Sequence, residues 1–260
     1  MLIDLDSYDA VLLDLDGTTY EGEVALPGAV ELARRLQSRG RPVAWLTNST
    51  NSPQRVQERL ARMGIEARQE QIYTAAVAAA DYVVKTFPEP RRVFNLATQG
   101  LEDLLQGQVV WTEQPPCDVV VAGKPTGSHA GEERRRTALM LLRAGARLVG
   151  CCADRVFPSP RGIEFGSGAL CTMLAYAANV TPVFTGKPEP HFFQEICRRL
   201  GVVPARCVLI GDNLESDIAG AKALGMATVL TLTGIVGRRD LEGLPQAKRP
   251  DWVVGSLSEV

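Results

Sequence analysis

The 260-residue chain lacks a charge imbalance: 28 Lys and Arg against 30 Asp and Glu leave a formal net charge of −2. Nothing therefore draws it electrostatically toward nucleic acid or an anionic membrane surface. It also lacks any apolar run of bilayer-spanning length. Its first residues, Met1-Leu2-Ile3-Asp4-Leu5-Asp6, are acidic where a secretory signal is basic, so a cytoplasmic location is expected. Histidine is scarce, with only His129 and His191 present, and the six cysteines include no Cys-x-x-Cys pair, which leaves little material for a zinc site. Most of the cysteines sit in apolar company, as in Arg206-Cys207-Val208-Leu209-Ile210, and read as small buried thiols in a reducing compartment. There is no repeat of solenoid period and no low-complexity tract.

What is present is a soluble globular composition, 45% hydrophobic and 22% charged, in a length that suits one large domain or two small ones. Short apolar runs alternate with helical periodicity. Val11-Leu12-Leu13 stops at Asp14, and Pro42-Val43-Ala44-Trp45-Leu46 stops at Thr47-Asn48-Ser49-Thr50-Asn51. Cys207-Val208-Leu209-Ile210 stops at Gly211-Asp212, and Ala227 to Leu230 follows as a fourth strand. Between them, helices are expected over Pro27–Arg39, Pro53–Met63, Thr74–Lys85, Glu189–Leu200 and Ile218–Leu224, with Gly40, Gly64 and Gly225 as stops. Strands alternating with helices imply right-handed crossovers and a parallel sheet.

Pro88-Glu89-Pro90 interrupts this pattern, and a second strand-helix set follows. Its strands are Val93–Leu96, Val109–Trp111, Val119–Ala122 and Arg147–Gly150, and its helices Glu132–Ala144 and Ser167–Ala178. At about a hundred residues it is large enough for a core of its own. The expected organisation is a doubly wound, Rossmann-like α/β core formed by residues 1–81 and 182–260, with a smaller α/β domain, 82–181, inserted. The opening pattern resumes at Val183-Phe184-Thr185-Gly186-Lys187-Pro188.

Four polar clusters sit at the ends of buried runs: Asp14 with Asp16, Thr47 with Asn48, Gly186-Lys187, and Gly211-Asp212-Asn213-Leu214-Glu215-Ser216-Asp217. The first, Asp14-Leu15-Asp16-Gly17-Thr18-Thr19-Tyr20, suits an ordinary Asx turn as well as a site. Taken together the four are more telling, because a parallel sheet turns its strand ends to one side and ligands bind there. Clustered carboxylates repel one another unless a cation holds them, and oxygen ligands without Cys or His select Mg²⁺. A nucleophilic carboxylate beside a Mg²⁺ and a lysine points to a phosphoryl group.

In this order, Asp14-Leu15-Asp16-Gly17-Thr18, strand-end Thr47-Asn48, Lys187, and Gly211-Asp212 with Asp217 resemble the four motifs of the haloacid dehalogenase superfamily, over nearly the whole chain. Asp-Leu-Asp-Gly-Thr-Thr-Tyr near the start, Gly-Lys-Pro at 186–188 and the large insert between Thr47 and Lys187 are most similar to its NagD-like, 4-nitrophenylphosphatase-like class, whose α/β cap is inserted at this point. The resemblance implies a Mg²⁺-dependent phosphatase of small-molecule phosphomonoesters (sugar phosphates, nucleoside monophosphates or similar) in which an inserted cap excludes macromolecules. Asp14 would be nucleophile and metal ligand. Asp16 would be general acid and then base, its main-chain carbonyl also a metal ligand. Thr47, with Asn48 and Ser49 beside it, would grip the phosphate. Lys187 would neutralise nucleophile and phosphate, Asp212 would complete the metal shell, and Asp217 and Asn213 would support it. A leaving-group acid is what phosphatases and phosphomutases need and dehalogenases do not, so Asp16 favours the former.

Two departures from the class stand out. Its usual Thr-Asn-Asn-Ser is here Thr47-Asn48-Ser49-Thr50, which bears on leaving-group preference, and its Asn-Pro-Asp is here Cys152-Ala153-Asp154. Asp154 suits either the substrate side or a turn. Glu132-Glu133-Arg134-Arg135-Arg136 reads as a solvated helix face, and Gly166-Ser167-Gly168 as the start of a helix. Leu139-Met140-Leu141-Leu142 reads as cap core or a contact between copies, since related caps often pair into homodimers. Two other functions fit the same residues: a phosphotransferase or mutase with a second acceptor, and a non-catalytic sensor of phosphorylated metabolites. All the residues that turnover needs are present, which argues against the sensor.

Overall fold

A computed structural model describes residues 3–159 and 162–260, the side chains of 158 and 159 excepted; Met1 and Leu2 of the acidic N-terminal stretch lie outside the described residues. Its strands, in chain order, are β1 (Ala10–Asp14), β2 (Tyr20–Glu21), β3 (Val24–Ala25), β4 (Val43–Thr47), β5 (Ile72–Thr74), β6 (Arg92–Leu96), β7 (Val110–Trp111) and β8 (Val119–Ala122). There follow β9 (Arg147–Gly150), β10 (Val156–Ser159), β11 (Gly162–Phe165), β12 (Val183–Phe184), β13 (Cys207–Gly211), β14 (Ala227–Thr231) and β15 (Trp252–Val254). The α-helices are α1 (Ala29–Ser38), α2 (Pro53–Arg62), α3 (Ala75–Thr86), α4 (Gln99–Leu105), α5 (Glu132–Arg143), α6 (Ser167–Ala178), α7 (Pro190–Leu200) and α8 (Gly220–Lys222).

The chain divides into two compact units. The first takes the chain up to Thr47, Pro53–Tyr73 and Lys187–Val260. Among its described residues the sheet runs β15-β14-β13-β1-β4-β5. β1 pairs in parallel with both β13 and β4, so it lies at the point where the chain winds first one way and then the other. Such a strand is buried on both faces, which is why Ala10 to Leu13 is continuously apolar rather than alternating. Val11 and Leu13 pack with Leu32, Leu36, Trp45, Leu60, Val208 and Ile210 in one core, each such side chain worth about 1.5–3 kcal/mol of burial. Register sets the site: Asp14 pairs with Leu46 and Leu13 with Ile210, so the chain leaves β1, β4 and β13 at nearly the same level.

The second unit takes Asn48–Ser52 and Thr74–Gly186. Its sheet, β12-β9-β8-β6-β7, is parallel throughout, with an antiparallel hairpin β10–β11 beside it. α3 and α4 contribute to one core with Val93, Val119 and Val149, and α5 and α6 to another with Phe94, Val120 and Leu148. The insert is thus itself a wound α/β layer.

The observed division differs from the expected 81/82 and 181/182 boundaries. α3 is one uninterrupted helix whose Ala75, Ala79, Ala80 and Val83 belong to the second unit's core, so 81/82 falls inside it. On the return, Val183 and Phe184 pair with Val149 and Gly150 as the edge of the second sheet rather than reopening the first. Another difference concerns Ile218–Leu224, read as a regular helix. The structure has a π-helical turn over Leu214–Ala219 and only a short α8 after it. Arg134 is not a solvated side chain either: its guanidinium stacks 4.1 Å from the Phe94 ring centroid and donates to the Asn95 carbonyl at 2.6 Å. On the same helix Leu141 and Leu142 are buried while Met140 is exposed. The β10–β11 hairpin was not legible because Pro158 reads as a breaker, and its Ile163 and Phe165 point to solvent.

Candidate active site

The first unit gathers its charged residues at the ends of β1, β4 and β13. Asp14 is the last residue of β1, and Thr19 Oγ1 donates to its main-chain carbonyl at 2.6 Å, folding the following loop back on the strand. Gly17 makes that turn at φ +86°, a left-handed conformation that glycine adopts without a Cβ penalty. Beyond β13, Asn213 Oδ1 accepts from the N–H groups of Glu215 and Ser216 at 2.8 and 3.0 Å, capping the π-helical turn, while Asn213 N donates to Asp217 Oδ2 at 3.1 Å. This unusual turn, a form often found at functional sites, delivers Asp217 inward.

Asp14, Asp212 and Asp217 each offer a carboxylate oxygen, and these atoms lie within 4.8 Å of one another. Lys187 enters from the segment before α7. Its Nζ donates to Asp14 Oδ1 at 2.5 Å and to Asp217 Oδ1 at 2.6 Å. All four side chains are buried. Burial works to lower the Lys187 pKa, but the charges of Asp14 and Asp217 overcome it and keep the ammonium protonated far above neutrality. Burial, then the charges of Asp14 and Asp217, push Asp212 up to about 8. Burial and Asp14 push Asp217 to about 6 against the pull of Lys187. One ammonium therefore does not neutralise three carboxylates. The shortfall and the all-oxygen donor set fit a hard divalent cation.

Asp16 stands apart from that cluster. Its side chain is 58% exposed where that of Asp14 is 6%. Tyr20 OH donates to Asp16 Oδ2 at 3.3 Å, Thr47 Oγ1 donates to the same oxygen at 3.4 Å, and Arg59 Nη1 lies 3.9 Å from Oδ1. Arg59 also stacks on the Tyr20 ring, 4.4 Å from its centroid. The side chain of Asp16 thus faces hydroxyls and a guanidinium, and its expected place in the metal shell rests on its main-chain carbonyl alone.

The remaining expected residues lie in the second unit. Asn48 Nδ2 donates to both oxygens of Asp154 at 3.1 Å, and the Cys152 thiol donates to Asp154 Oδ2 at 3.3 Å. Ser49 Oγ accepts from Asn51 N at 3.2 Å, and the Ser49 carbonyl accepts from Ala75 N at 3.1 Å. The structure therefore brings together Asp14, Lys187, Asp212 and Asp217, supports Asp217 with Asn213, and joins Thr47 to Asp16. It joins Asn48 to Asp154 separately. Sequence reading missed Arg59, whose only signal is a helix position that turns it toward Tyr20, and the Thr233–Ile235 segment, whose contacts with Asp212 are purely tertiary.

The site is thus an α/β core of this winding with a lysine bridging two carboxylates at its central strand end and a third carboxylate beside them. Residues 11–109 match the family model described as haloacid dehalogenase-like hydrolase, and residues 184–260 match a second model of the same kind. The acid sugar phosphatase of Staphylococcus aureus (strain USA300) is 32% identical over 240 residues, 92% of either chain. The 4-nitrophenylphosphatase of Thermotoga maritima superimposes with a TM-score of 0.89 at 28% identity, over 98% of this chain and 97% of that one. The glycerol phosphate phosphatase of Mycobacterium tuberculosis, solved in complex with magnesium, superimposes with a TM-score of 0.87 at 27% identity, over 100% of this chain and 78% of that one. The chain belongs to the haloacid dehalogenase-like hydrolases and, within them, to the NagD-like phosphatases. No helix among the described residues is long and apolar enough to cross a membrane.

Proposed function

We propose that this chain hydrolyses small phosphomonoesters, with Asp14 as nucleophile and Mg²⁺ as the divalent ion. The observation that carries the reading is Lys187 Nζ held between Asp14 and Asp217 with Asp212 adjacent: a buried nucleophile flanked by more negative charge than one ammonium balances. Small esters are supported by the relatives' names, a sugar phosphatase and a glycerol phosphate phosphatase among them.

Asp14, Asp212 and the Asp16 carbonyl would hold the ion, which when bound supplies positive charge to the phosphoryl oxygens. Lys187 adds its own charge to the same oxygens and, against the burial that raises the Asp14 pKa, pulls that carboxyl toward its ionised form. Asp14 attacks phosphorus as the ester oxygen departs, and Asp16 donates the proton that oxygen needs, leaving a phosphoaspartate on Asp14 and a free alcohol. Asp16, now ionised, takes a proton from water as that water attacks phosphorus. Phosphate leaves, Asp14 is restored and Asp16 is again protonated. Exposure of Asp16 to solvent and its two hydroxyl partners suit a group that exchanges protons in each half-reaction. Thr47, tied to Asp16, would meet the phosphate. Six free cysteines, five of them buried, suit a reducing cytoplasm.

The test is release of inorganic phosphate from 4-nitrophenyl phosphate and a panel of sugar, nucleoside and glycerol phosphates, with Mg²⁺ and with chelator. Asp14→Asn should fold normally and lose turnover by at least about 10³-fold. Turnover that survives Asp14→Asn refutes the proposal, and phosphate passed to an added sugar rather than to water would assign a phosphotransferase instead.

A further inference from the structure

Asp14 and Asp217 share Lys187, whereas Asp212 is held by main chain. Ile235 N–H donates to its Oδ2 at 3.1 Å. Two glycines from different strand ends close on that oxygen. A Cβ built on Gly17 would sit 2.6 Å from Asp212 Oδ2, and one built on Gly234 would sit 1.8 Å from it, both far inside van der Waals contact. The two walls are tied together, since Thr233 Oγ1 donates to the Gly17 carbonyl at 2.7 Å and lies 3.1 Å from Thr231 Oγ1. Thr231 ends β14, so the tie is anchored in the sheet. The Ile235 side chain is itself exposed, which leaves its N–H as its contribution.

We propose that Thr233, Gly234 and the main-chain N–H of Ile235 are positioning residues for Asp212 and set the affinity of the carboxylate cluster for its divalent cation. This rests on the metal-centre reading above. The physical reason is preorganisation. A carboxylate with one oxygen committed to a fixed donor, between two backbone walls that leave no room for a Cβ, presents its second oxygen with less side-chain freedom to lose when the ion arrives. Loss of the Thr233 hydroxyl frees the Gly17 loop, and a methyl at 234 displaces the carboxylate outright.

Calorimetric titration of Mg²⁺ into the metal-stripped protein, without substrate, tests this on wild type, Thr233→Val, Thr233→Ser and Gly234→Ala. Thr233→Val should weaken Mg²⁺ binding about 10-fold and Gly234→Ala about 10- to 100-fold, with Thr233→Ser within about twofold of wild type because it keeps the hydroxyl. Wild-type affinity in folded Thr233→Val overturns the proposal, and so does an equal loss in Thr233→Ser. Should Gly234→Ala not fold, the valine and serine pair decides alone. A wild-type protein that takes up no Mg²⁺ overturns the metal-centre reading and this inference with it; uptake that is unchanged across the variants overturns the inference only.

Discussion

Stripping divalent cations from the protein while raising the pH from about 5 to about 8.5 puts its crowded carboxylates under load. Burial, with the charges of Asp14 and Asp217, pushes Asp212 up to about 8, and burial with Asp14 pushes Asp217 to about 6. Both values lie above those of the unfolded chain, about 3.9. The native state then binds more protons than the unfolded one, so stability is full below about pH 4 and falls as pH rises through 6 and 8. For Asp212, a rise from 3.8 to about 8 at about 1.4 kcal/mol per pH unit sets a ceiling on the order of 6 kcal/mol. Carboxylates that turn toward water in the stripped protein recover much of this, leaving a loss of about 2–3 kcal/mol. In a chain of this size that lowers Tm by roughly 5–10 °C. Mg²⁺ at a hundred times its Kd returns about 2.7 kcal/mol, and it should do so at pH 8.5 but much less at pH 5, where protons occupy the same oxygens. Thermal melts by circular dichroism with chelator and with Mg²⁺ at both pH values read this directly. A stripped protein equally stable at both, or a larger Mg²⁺ effect at pH 5, would refute the reasoning. Asp212→Asn should flatten the profile.

Three further outcomes follow from the same geometry. Lys187→Met leaves Asp14 and Asp217 facing each other without their shared cation, and should cost about 3–5 kcal/mol in urea unfolding, more at pH 8 than at pH 5 because protonation relieves the pair; an equal loss at both pH values would contradict this. Asp16→Asn should lower kcat by about 10²–10⁴-fold on an alkyl phosphate, whose poor leaving group needs the proton. Arg59→Gln, removing a partly exposed partner 3.9 Å from Asp16, should change kcat/KM by no more than about fivefold. If Arg59→Gln proves as damaging as Asp16→Asn, the guanidinium acts on the substrate itself.

Much of this was legible in residue order. Val11-Leu12-Leu13-Asp14 and Cys207-Val208-Leu209-Ile210 announce strands buried on both faces, since only a covered parallel sheet tolerates such continuous apolarity, and each names its polar terminus. Asp14, Lys187, Asp212 and Asp217, which the structure brings together, each belong to a polar cluster that ends a buried apolar run, which is why residue order could list them side by side. What stayed hidden was whatever depends on side-to-side packing. The expected boundary at 81/82 failed because α3 reads as a helix whichever core it serves, and only its alanine contacts decide which. The edge strand Val183–Phe184 looked like the return to the first sheet because two residues carry no record of their partner.

The placement of charge along the chain fixed the chemistry on offer: which residues can attack, which can donate a proton and which can hold a cation, since these are properties of the side chains themselves. Distances belong to another level. That Lys187 takes Asp14 and Asp217 while Asp16 turns to Tyr20, Thr47 and Arg59 follows from strand register and from a π-helical turn, and so does the vise of Gly17 and Gly234 on Asp212. Those contacts join residues up to two hundred positions apart, and local propensity has no knowledge of them. They exist because the sheet brings the ends of β1, β4, β13 and β14 to one edge.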